Sequence, residues 1–296
     1  MGQSLSDRKL LLLGGDKREE FLISFLMEKG AELTVLADNI PSLNSVNKNI
    51  TIINSLDEIT NLDFDAVISP MTGVDSEYYI KKTFVEAPVQ LKEDFFAKIA
   101  GSKFFIGFAK DKIKMWCKKY DIDLIEMAAD DQLAILNAIP TAEAAISLAI
   151  ENSIKTLYQN NSFVLGLGRV GLTLARRLHN LGSKTYGVAR KYRDLARAEE
   201  IGLFAVHFKD LITEIEQADF IFNTVPVTVL DKKILKQVSS DAVIIDLASE
   251  PGGTDFKAAK KLGITAKLAL GLPGKTAPES AGKIIAKIIP RLIEED

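Results

Sequence analysis

The chain has 296 residues with a formal net charge of −3, and it contains one cysteine and two histidines. The small acidic excess disfavours nucleic-acid binding, which needs a basic surface. The single cysteine excludes an intrachain disulfide, and so few cysteines and histidines exclude a metal cluster built from them, so no metal site is predicted. No apolar run approaches the roughly 20 residues of a membrane span. We therefore expect a cytoplasmic protein, and the length predicts two domains.

Short apolar strands alternate with helical stretches through the first half, a pattern typical of parallel α/β architecture. The predicted strands are 9–13, 32–36, 49–53, 66–69, 103–107 and 123–126, and the predicted helices are 17–29, 93–99 and 110–119. Residues 131–153 carry no strand signal and predict a long connecting helix broken at Pro140. This series predicts a Rossmann-like first domain over residues 1–139.

A second α/β series follows, with predicted strands 162–166, 184–189, 204–207, 220–223, 242–246 and 265–268 and helices 170–181 and 192–201. A final helix over 280–293 carries isoleucines at helical spacing. The sequence thus predicts an α/β fold of two Rossmann-like domains with parallel sheets, joined by interdomain helices. The second domain spans 140–278, and helix 279–296 packs back on the first.

One glycine motif, Gly166-Leu167-Gly168-Arg169-Val170-Gly171, lies between a predicted strand and a predicted amphipathic helix. This context is typical of dinucleotide binding, since the glycines allow a tight turn, close approach of a pyrophosphate and close helix–strand packing. The helix N-terminus also offers N–H groups to the anion. The alternative is a tight turn without a ligand.

The end of the following strand indicates which dinucleotide binds. NAD sites usually place an acidic residue there for the ribose 2′-hydroxyl. This chain instead has Ala189-Arg190-Lys191, and a guanidinium suits a 2′-phosphate. We therefore predict NADP, with Arg193 able to assist; the alternative is a pair of solvated loop charges.

Loops at the carboxyl ends of the later strands complete the predicted cofactor site, because ligands of open α/β sheets bind there. They are Asn223-Thr224-Val225-Pro226, Ala248-Ser249 and Gly271-Leu272-Pro273. Ordinary turn chemistry explains these residues equally well.

Candidate substrate residues lie in the first domain and at the predicted hinge. Arg18 follows Gly14-Gly15 near a helix start and could hold a carboxylate. The segment Ser69–Gly73 offers hydroxyls, including that of Thr72, and backbone N–H groups, and Asn137 and Thr141 lie in the hinge. Glu143 is expected in the first turn of the helix after Pro140, where the helix dipole favours it. We predict structural roles for His179 and His207 and a core position for Cys117.

Three strings together resemble the family of dipicolinate synthase A subunits: Gly166–Thr173, Asp246–Phe256 and Gly271–Pro278. Gly14–Arg18, Ser69–Gly73 and Asn137–Glu143 are similar to it as well, so the resemblance spans nearly the whole chain. It implies NADP-dependent conversion of 4-hydroxytetrahydrodipicolinate to dipicolinate, an acid of bacterial endospores, in the mother-cell cytoplasm. It also implies a flavoprotein-like dipicolinate synthase B subunit as partner, and leaves open whether the chain forms a homo-oligomer.

A substrate with two carboxylates implies cations and N–H groups facing it, for which Arg18, Thr72, Gly73 and Lys275 are the candidates. For water loss, Glu143 or Asp16 could serve as acid or base, and Lys275 is a third catalytic candidate. Two alternatives stay open. One is a shikimate- or alanine-type NADP-dependent dehydrogenase, although a catalytic His or Lys–Asp pair is missing from the expected turns. The other is a non-catalytic NADP-binding regulatory protein.

Overall fold

The computed structural model describes residues 4–38, 49–59, 64–81 and 84–295. The chain divides into two compact units: unit 1 is residues 1–134 with 277–296, and unit 2 is residues 135–276. The predicted boundaries lie a few residues further along the chain, because a continuous helix runs through the first of them.

Each unit is built on six strands whose burial follows from their apolar sequences. Unit 1 has β1 (Lys9–Leu12), β2 (Glu32–Leu36), β3 (Ile50–Ile53), β4 (Ala66–Ile68), β5 (Lys103–Ile106) and β6 (Asp123–Glu126). Unit 2 has β7 (Asn161–Leu165), β8 (Lys184–Ala189), β9 (Phe204–His207), β10 (Phe220–Asn223), β11 (Val243–Asp246) and β12 (Thr265–Leu268). The runs Leu10–Leu12, Ala66–Ile68 and Phe220–Asn223 are buried throughout, as expected of parallel strands covered on both faces.

The helices of unit 1 are α1 (Lys17–Glu28), α2 (Glu93–Lys98), α3 (Asp111–Lys119) and α11 (Pro278–Glu294). Helix α4 (Asp131–Glu151) leads into unit 2, which contains α5 (Arg169–Asn180), α6 (Tyr192–Glu200), α7 (Leu211–Glu214), α8 (Lys232–Leu235), α9 (Phe256–Lys261) and α10 (Leu272–Thr276). Short 3₁₀ turns lie at Leu56–Glu58, Phe208–Asp210 and Ile215–Gln217.

Both sheets are parallel and share one topology. The strand order is β3-β2-β1-β4-β5-β6 in unit 1 and β12-β11-β10-β7-β8-β9 in unit 2. Each order reverses between the first and fourth strands of its unit, and ligands of such sheets bind at the carboxyl ends of those two strands. We call this place the crossover point of each unit. The predicted fold of two Rossmann-like parallel sheets is confirmed.

The C-terminal helix packs on the first domain, as predicted. The Cβ that an alanine at Gly282 would carry lies 2.5 Å from the carbonyl oxygen of Arg18, so α11 approaches the backbone of α1 directly. Arg291 of α11 also donates to Asp130 over 2.6 Å. The last helix is therefore an integral part of unit 1.

Helix α4 corrects one prediction. It is continuous through Pro140, so the predicted break is absent from this helix. Buried alanines on it, including Ala142 and Ala145, pack in the core of unit 2, and this packing offsets the backbone hydrogen bond that proline removes.

Among the described residues, α4 is also the one helix long and apolar enough to cross a membrane, with a mean hydropathy of 1.7. The helix is not one uninterrupted apolar run, because Asn137, Thr141 and Glu143 lie within it. A core helix meets the same criterion.

Candidate dinucleotide and substrate sites

The glycine motif forms the turn between β7 and α5 at the crossover point of unit 2. A Cβ on Gly171 would lie 1.9 Å from the carbonyl oxygen of Gly166, so only glycine lets α5 begin this close to the strand. Gly166 has φ +90°, and a Cβ there would lie 2.6 Å from Oγ1 of Thr224. The Thr224 hydroxyl in turn donates to the carbonyl oxygens of Leu165 (2.9 Å) and Gly166 (3.2 Å). The turn is thus fixed from the neighbouring strand.

The middle glycine behaves differently, because the space above it is open. Apart from its neighbours in the chain, a Cβ on Gly168 would meet no atom of the described residues within 4 Å. Gly168 is the N-cap of α5 and has no side chain to cap it, so within the described part of the chain the first N–H groups of α5 lack the usual N-cap bond. Leu167 packs instead against Gly187 of β8. The residues present fit a pyrophosphate at the start of α5, beside Arg169 and Val170.

The end of β8 presents exposed cations. Ala189 is buried, whereas Arg190, Lys191 and Arg193 are exposed. His207 lies beside them, because β9 pairs with β8 in a register that places His207 opposite Ala189. β9 is the edge strand of this sheet, and the closeness of His207 to these cations follows from strand pairing, which one sequence does not show.

The ring of His207 holds the segment after β8. Its Nδ1 accepts the N–H of Lys209 over 3.1 Å, so Nε2 carries the proton and donates to the carbonyl oxygen of Arg190, also over 3.1 Å. The Tyr192 ring lies 5.7 Å from that of His207. The predicted structural role of His207 therefore takes a specific form, which is to hold the backbone of Arg190.

A buried polar network joins the loops after β10 and β11. Asp246 accepts the side-chain amide of Asn223 over 2.9 Å, the N–H groups of Ala248 and Gly253, and the hydroxyl of Thr254 over 2.6 Å. Asn223 also bonds both the N–H and the carbonyl of Val225. Asn223 and Ala248, predicted to contact the cofactor, thus have polar groups already engaged in the scaffold. Sequence reasoning missed the central role of Asp246.

The remaining predicted cofactor residues divide by exposure. Pro226, Ser249 and Gly271 are exposed at the carboxyl ends of their strands, and Val225 is half-buried. Leu272 and Pro273 lie in α10 and are buried, and Leu272 packs in the core of unit 2. Their contact with the cofactor stays a prediction. Lys275, in the last turn of α10, is exposed.

In unit 1, the turn after β1 is closed by its own side chains. Arg18 is 5% exposed, and its Nε and Nη2 each donate to a carboxylate oxygen of Asp16 over 3.0 Å. Burial opposes ionisation of Asp16, but the bonds from Arg18 outweigh it and lower the Asp16 pKa. The predicted bidentate contact of Arg18 exists, but with Asp16, which corrects its assignment to a substrate carboxylate. The same contact engages the carboxylate of Asp16, which was predicted as an acid or base.

Glu19 was not among the predicted site residues, yet its pKa is shifted further than that of any other carboxyl group in the described residues. It is 2% exposed. Burial, followed by the nearby charge of Asp16, raises its pKa to about 7 against the opposing effects of Arg18 and two backbone N–H groups. Its Oε2 accepts the N–H of Asp16 over 2.9 Å, and its Oε1 accepts the N–H of Met71 over 3.0 Å. The capping pattern Asp-x-x-Glu was the available signal.

The segment after β4 lies beside β1 at the crossover point. Ser69 is fully buried and Thr72 is half-buried. Neither Oγ of Ser69 nor Oγ1 of Thr72 has a hydrogen-bond partner among the residues that the structure describes. Gly73 has φ +65°, and its N–H donates to the carbonyl of Pro70 over 2.9 Å. Unpartnered buried hydroxyls are uncommon, so these two distinguish the segment among the described residues.

The predicted hinge residues lie within α4. The hydroxyl of Thr141 donates to the carbonyl of Asn137 over 2.8 Å, which satisfies both groups inside the helix. Glu143 is therefore not in a first helical turn; its carboxylate is 64% exposed and lies 3.6 Å from Nε of Arg177. Arg177 is in the last turn of α5, so this contact lies two turns from the glycine motif and gives Glu143 no part there. Cys117 is buried as expected, and burial raises its pKa to about 12.

Two protein families match this chain. Residues 9–128 match the family described as the N-terminal domain of the dipicolinate synthase A subunit. Residues 142–250 match the D-isomer specific 2-hydroxyacid dehydrogenase, NAD binding domain. The second match supports an oxidoreductase with a nicotinamide dinucleotide cofactor.

Whole-chain relatives agree with both matches. The dipicolinate synthase A subunit of Bacillus subtilis (strain 168) is 34% identical over 294 residues, which cover 98% of this chain and 97% of the relative. The crystal structure of the A subunit from Bacillus halodurans superimposes with a TM-score of 0.92 at 33% identity, covering 99% and 100% of the two chains. The crystal structure of the Bacillus subtilis protein gives 0.90 at 34%, covering 98% and 97%. The chain belongs to the family of dipicolinate synthase A subunits.

Proposed function

We propose that this protein oxidises 4-hydroxytetrahydrodipicolinate to dipicolinate with NADP⁺. The substrate loses water and then a hydride and a proton, which gives an aromatic ring, water, NADPH and H⁺. Aromatisation favours the oxidation, so the protein mainly has to bind the ring and hold it in position. The bound nicotinamide supplies the hydride acceptor.

The open start of α5 carries this proposal. The uncapped helix N-terminus and the free space over Gly168 suit a pyrophosphate. Exposed Arg190 and Lys191 at the end of β8 replace the usual acid and suit a 2′-phosphate. The backbone of Arg190 is held by His207, so its side chain starts from a fixed position.

A substrate carboxylate is assigned to the Ser69–Gly73 segment of unit 1, where the hydroxyls of Ser69 and Thr72 have no partner among the described residues. Lys275, a further candidate for a cation and proton carrier, is exposed in unit 2. Arg18 supports this arrangement indirectly, through Asp16.

The proposal extends to assembly and place. The relatives are named as one of the lettered subunits of a synthase, so we propose that a B subunit of flavoprotein type partners this chain. The reaction would run in the cytoplasm of the mother cell of a sporulating bacterium.

A direct assay tests the function. Purified protein receives NADP⁺ and freshly generated 4-hydroxytetrahydrodipicolinate, and ultraviolet absorbance follows dipicolinate. Product without the B subunit is the expected result and supports catalysis by this chain. Product only in the presence of the B subunit would assign a shared role, and no product in either mixture would contradict the proposal.

The cofactor choice is tested by Arg190→Asp. Loss of a charge-assisted hydrogen bond and introduction of repulsion should weaken NADP⁺ binding at least tenfold relative to NAD⁺. Calorimetric titration with each dinucleotide measures the ratio. Arg197→Asp makes the same charge change in the last turn of α6 and should leave the ratio unchanged. An unchanged ratio in the Arg190 variant would count against NADP.

A further inference from the structure

Glu19 makes one more contact than its place in a helix requires. At the third position of α1 it completes a capping box by accepting the N–H of Asp16. Its second oxygen accepts the N–H of Met71, 52 residues further along the chain. This bond links the turn after β1 to the segment after β4, the two segments that meet at the crossover point of unit 1.

The surrounding residues are shaped around this bond. A Cβ on Gly15 would lie 2.3 Å from Cβ of Glu19, so glycine is required for Glu19 to occupy this position. On the other side, a Cβ on Gly107 would lie 2.2 Å from the carbonyl oxygen of Met71. The Met71 residue is therefore confined between α1 and the loop after β5.

Met71 lies between the two residues whose hydroxyls have no partner, Ser69 and Thr72. We propose that Glu19 is a positioning residue for substrate binding: its ionised carboxylate fixes, through the N–H of Met71, the Ser69–Gly73 segment in which the proposed function places a substrate carboxylate. This deepens the proposed function and rests on it.

The ionised form is the one that suits both bonds. Both backbone N–H groups donate to Glu19, whereas a protonated oxygen or an amide NH₂ would place a donor against one of them. The charged groups near Glu19 are Asp16 and Arg18, both from its own turn and helix. The segment Ser69–Gly73 brings only uncharged groups. The pKa of about 7 means that the favourable form is gained across neutral pH.

The test uses Glu19→Gln, which keeps the shape of the side chain and removes the charge. The probe is dipicolinate itself, titrated into full-length protein saturated with NADP⁺, from pH 6 to pH 8.5. Wild type should bind dipicolinate at least tenfold more tightly than the variant at pH 8, and this advantage should shrink towards pH 6. In turnover, KM for the substrate should rise more than kcat falls.

Glu20→Gln is the matched control, since it removes a charge from the same turn of α1. It should keep the wild-type affinity and pH profile. Equal dipicolinate affinity in wild type and Glu19→Gln at pH 8, or an advantage that does not change with pH, would overturn the positioning role alone. Failure of the wild type to bind dipicolinate at any pH would overturn the proposed function, and the positioning role with it.

Discussion

The two crossover points have the same strand order but opposite helix starts. In unit 2 the N-cap is Gly168, no side chain caps α5, and the space above the turn is open. In unit 1 the N-cap is Asp16, which accepts the N–H of Arg18, while Glu19 accepts the N–H of Asp16. In unit 1 the carboxylates of the chain itself bind the N–H groups at the helix start. In unit 2 the equivalent place at the start of α5 is left for an anionic ligand. Topology provides a binding place, and the residues at the helix start decide whether an anion can enter.

Disrupting the capped start of α1 should have the largest effect. Asp16→Ala removes a cap and leaves the buried guanidinium of Arg18 without its bidentate partner. The free energy of unfolding should fall by about 3 kcal/mol, as for broken buried ion pairs. Urea denaturation measures it. Asp231→Ala removes only the cap of α8 and should cost about 1 kcal/mol. Similar losses in both variants would show that the ion pair adds nothing.

A second effect should appear as pH dependence of stability. The folded pKa of Glu19 is raised to about 7, from an unfolded value near 4.5. The folded state therefore binds this proton more tightly than the unfolded state. The stabilisation that the bound proton gives is lost as pH rises from about 4.5 through 7. Between pH 5 and 8, the free energy of unfolding of the wild type should fall by up to about 3 kcal/mol relative to that of Glu19→Gln.

The measurement is urea denaturation of both proteins across this pH range. Glu20→Gln should follow the wild type. Parallel curves for wild type and Glu19→Gln would contradict the raised pKa. The variant that binds dipicolinate more weakly at pH 8 is thus expected to be the more stable protein there.

The smallest expected change in stability comes from a substitution at the uncapped start of α5. In Gly168→Ala the new Cβ meets no protein atom, and φ is an ordinary −78°. Stability should stay within about 0.5 kcal/mol of wild type, while dinucleotide affinity falls at least tenfold because the methyl group occupies the space over the turn. Calorimetry and thermal unfolding together measure both. Gly15→Ala should do the reverse, lowering stability through its clash with Glu19 while leaving dinucleotide affinity unchanged. Wild-type affinity in Gly168→Ala would contradict an open phosphate site.

Periodicity and the glycine motif were sufficient to predict both sheets and the turn at Gly166–Gly171, because these signals are local. The interruption of α4 at Pro140 was wrongly predicted, because buried alanines stabilise a helix that a local rule would end. The closeness of His207 to Arg190 was not predicted, because pairing of β8 with β9 is a long-range property.

The site in unit 1 shows the same limit. The types of Arg18 and Asp16 indicated ion binding, but one sequence does not show that the two bind each other. The role of Glu19 depends on Met71, whose position beside it follows only from the order of the strands.

The return of α11 to α1 has a consequence for synthesis. Unit 2 is continuous over residues 135–276, whereas unit 1 needs residues on both sides of it. On the ribosome, unit 2 can complete its core while unit 1 still waits for α11, which covers α1 at Gly282. The nascent first segment therefore exposes the side of α1 that α11 covers, near Phe21 and Leu22, until the segment after residue 276 emerges, and during this interval a chaperone has a surface to bind.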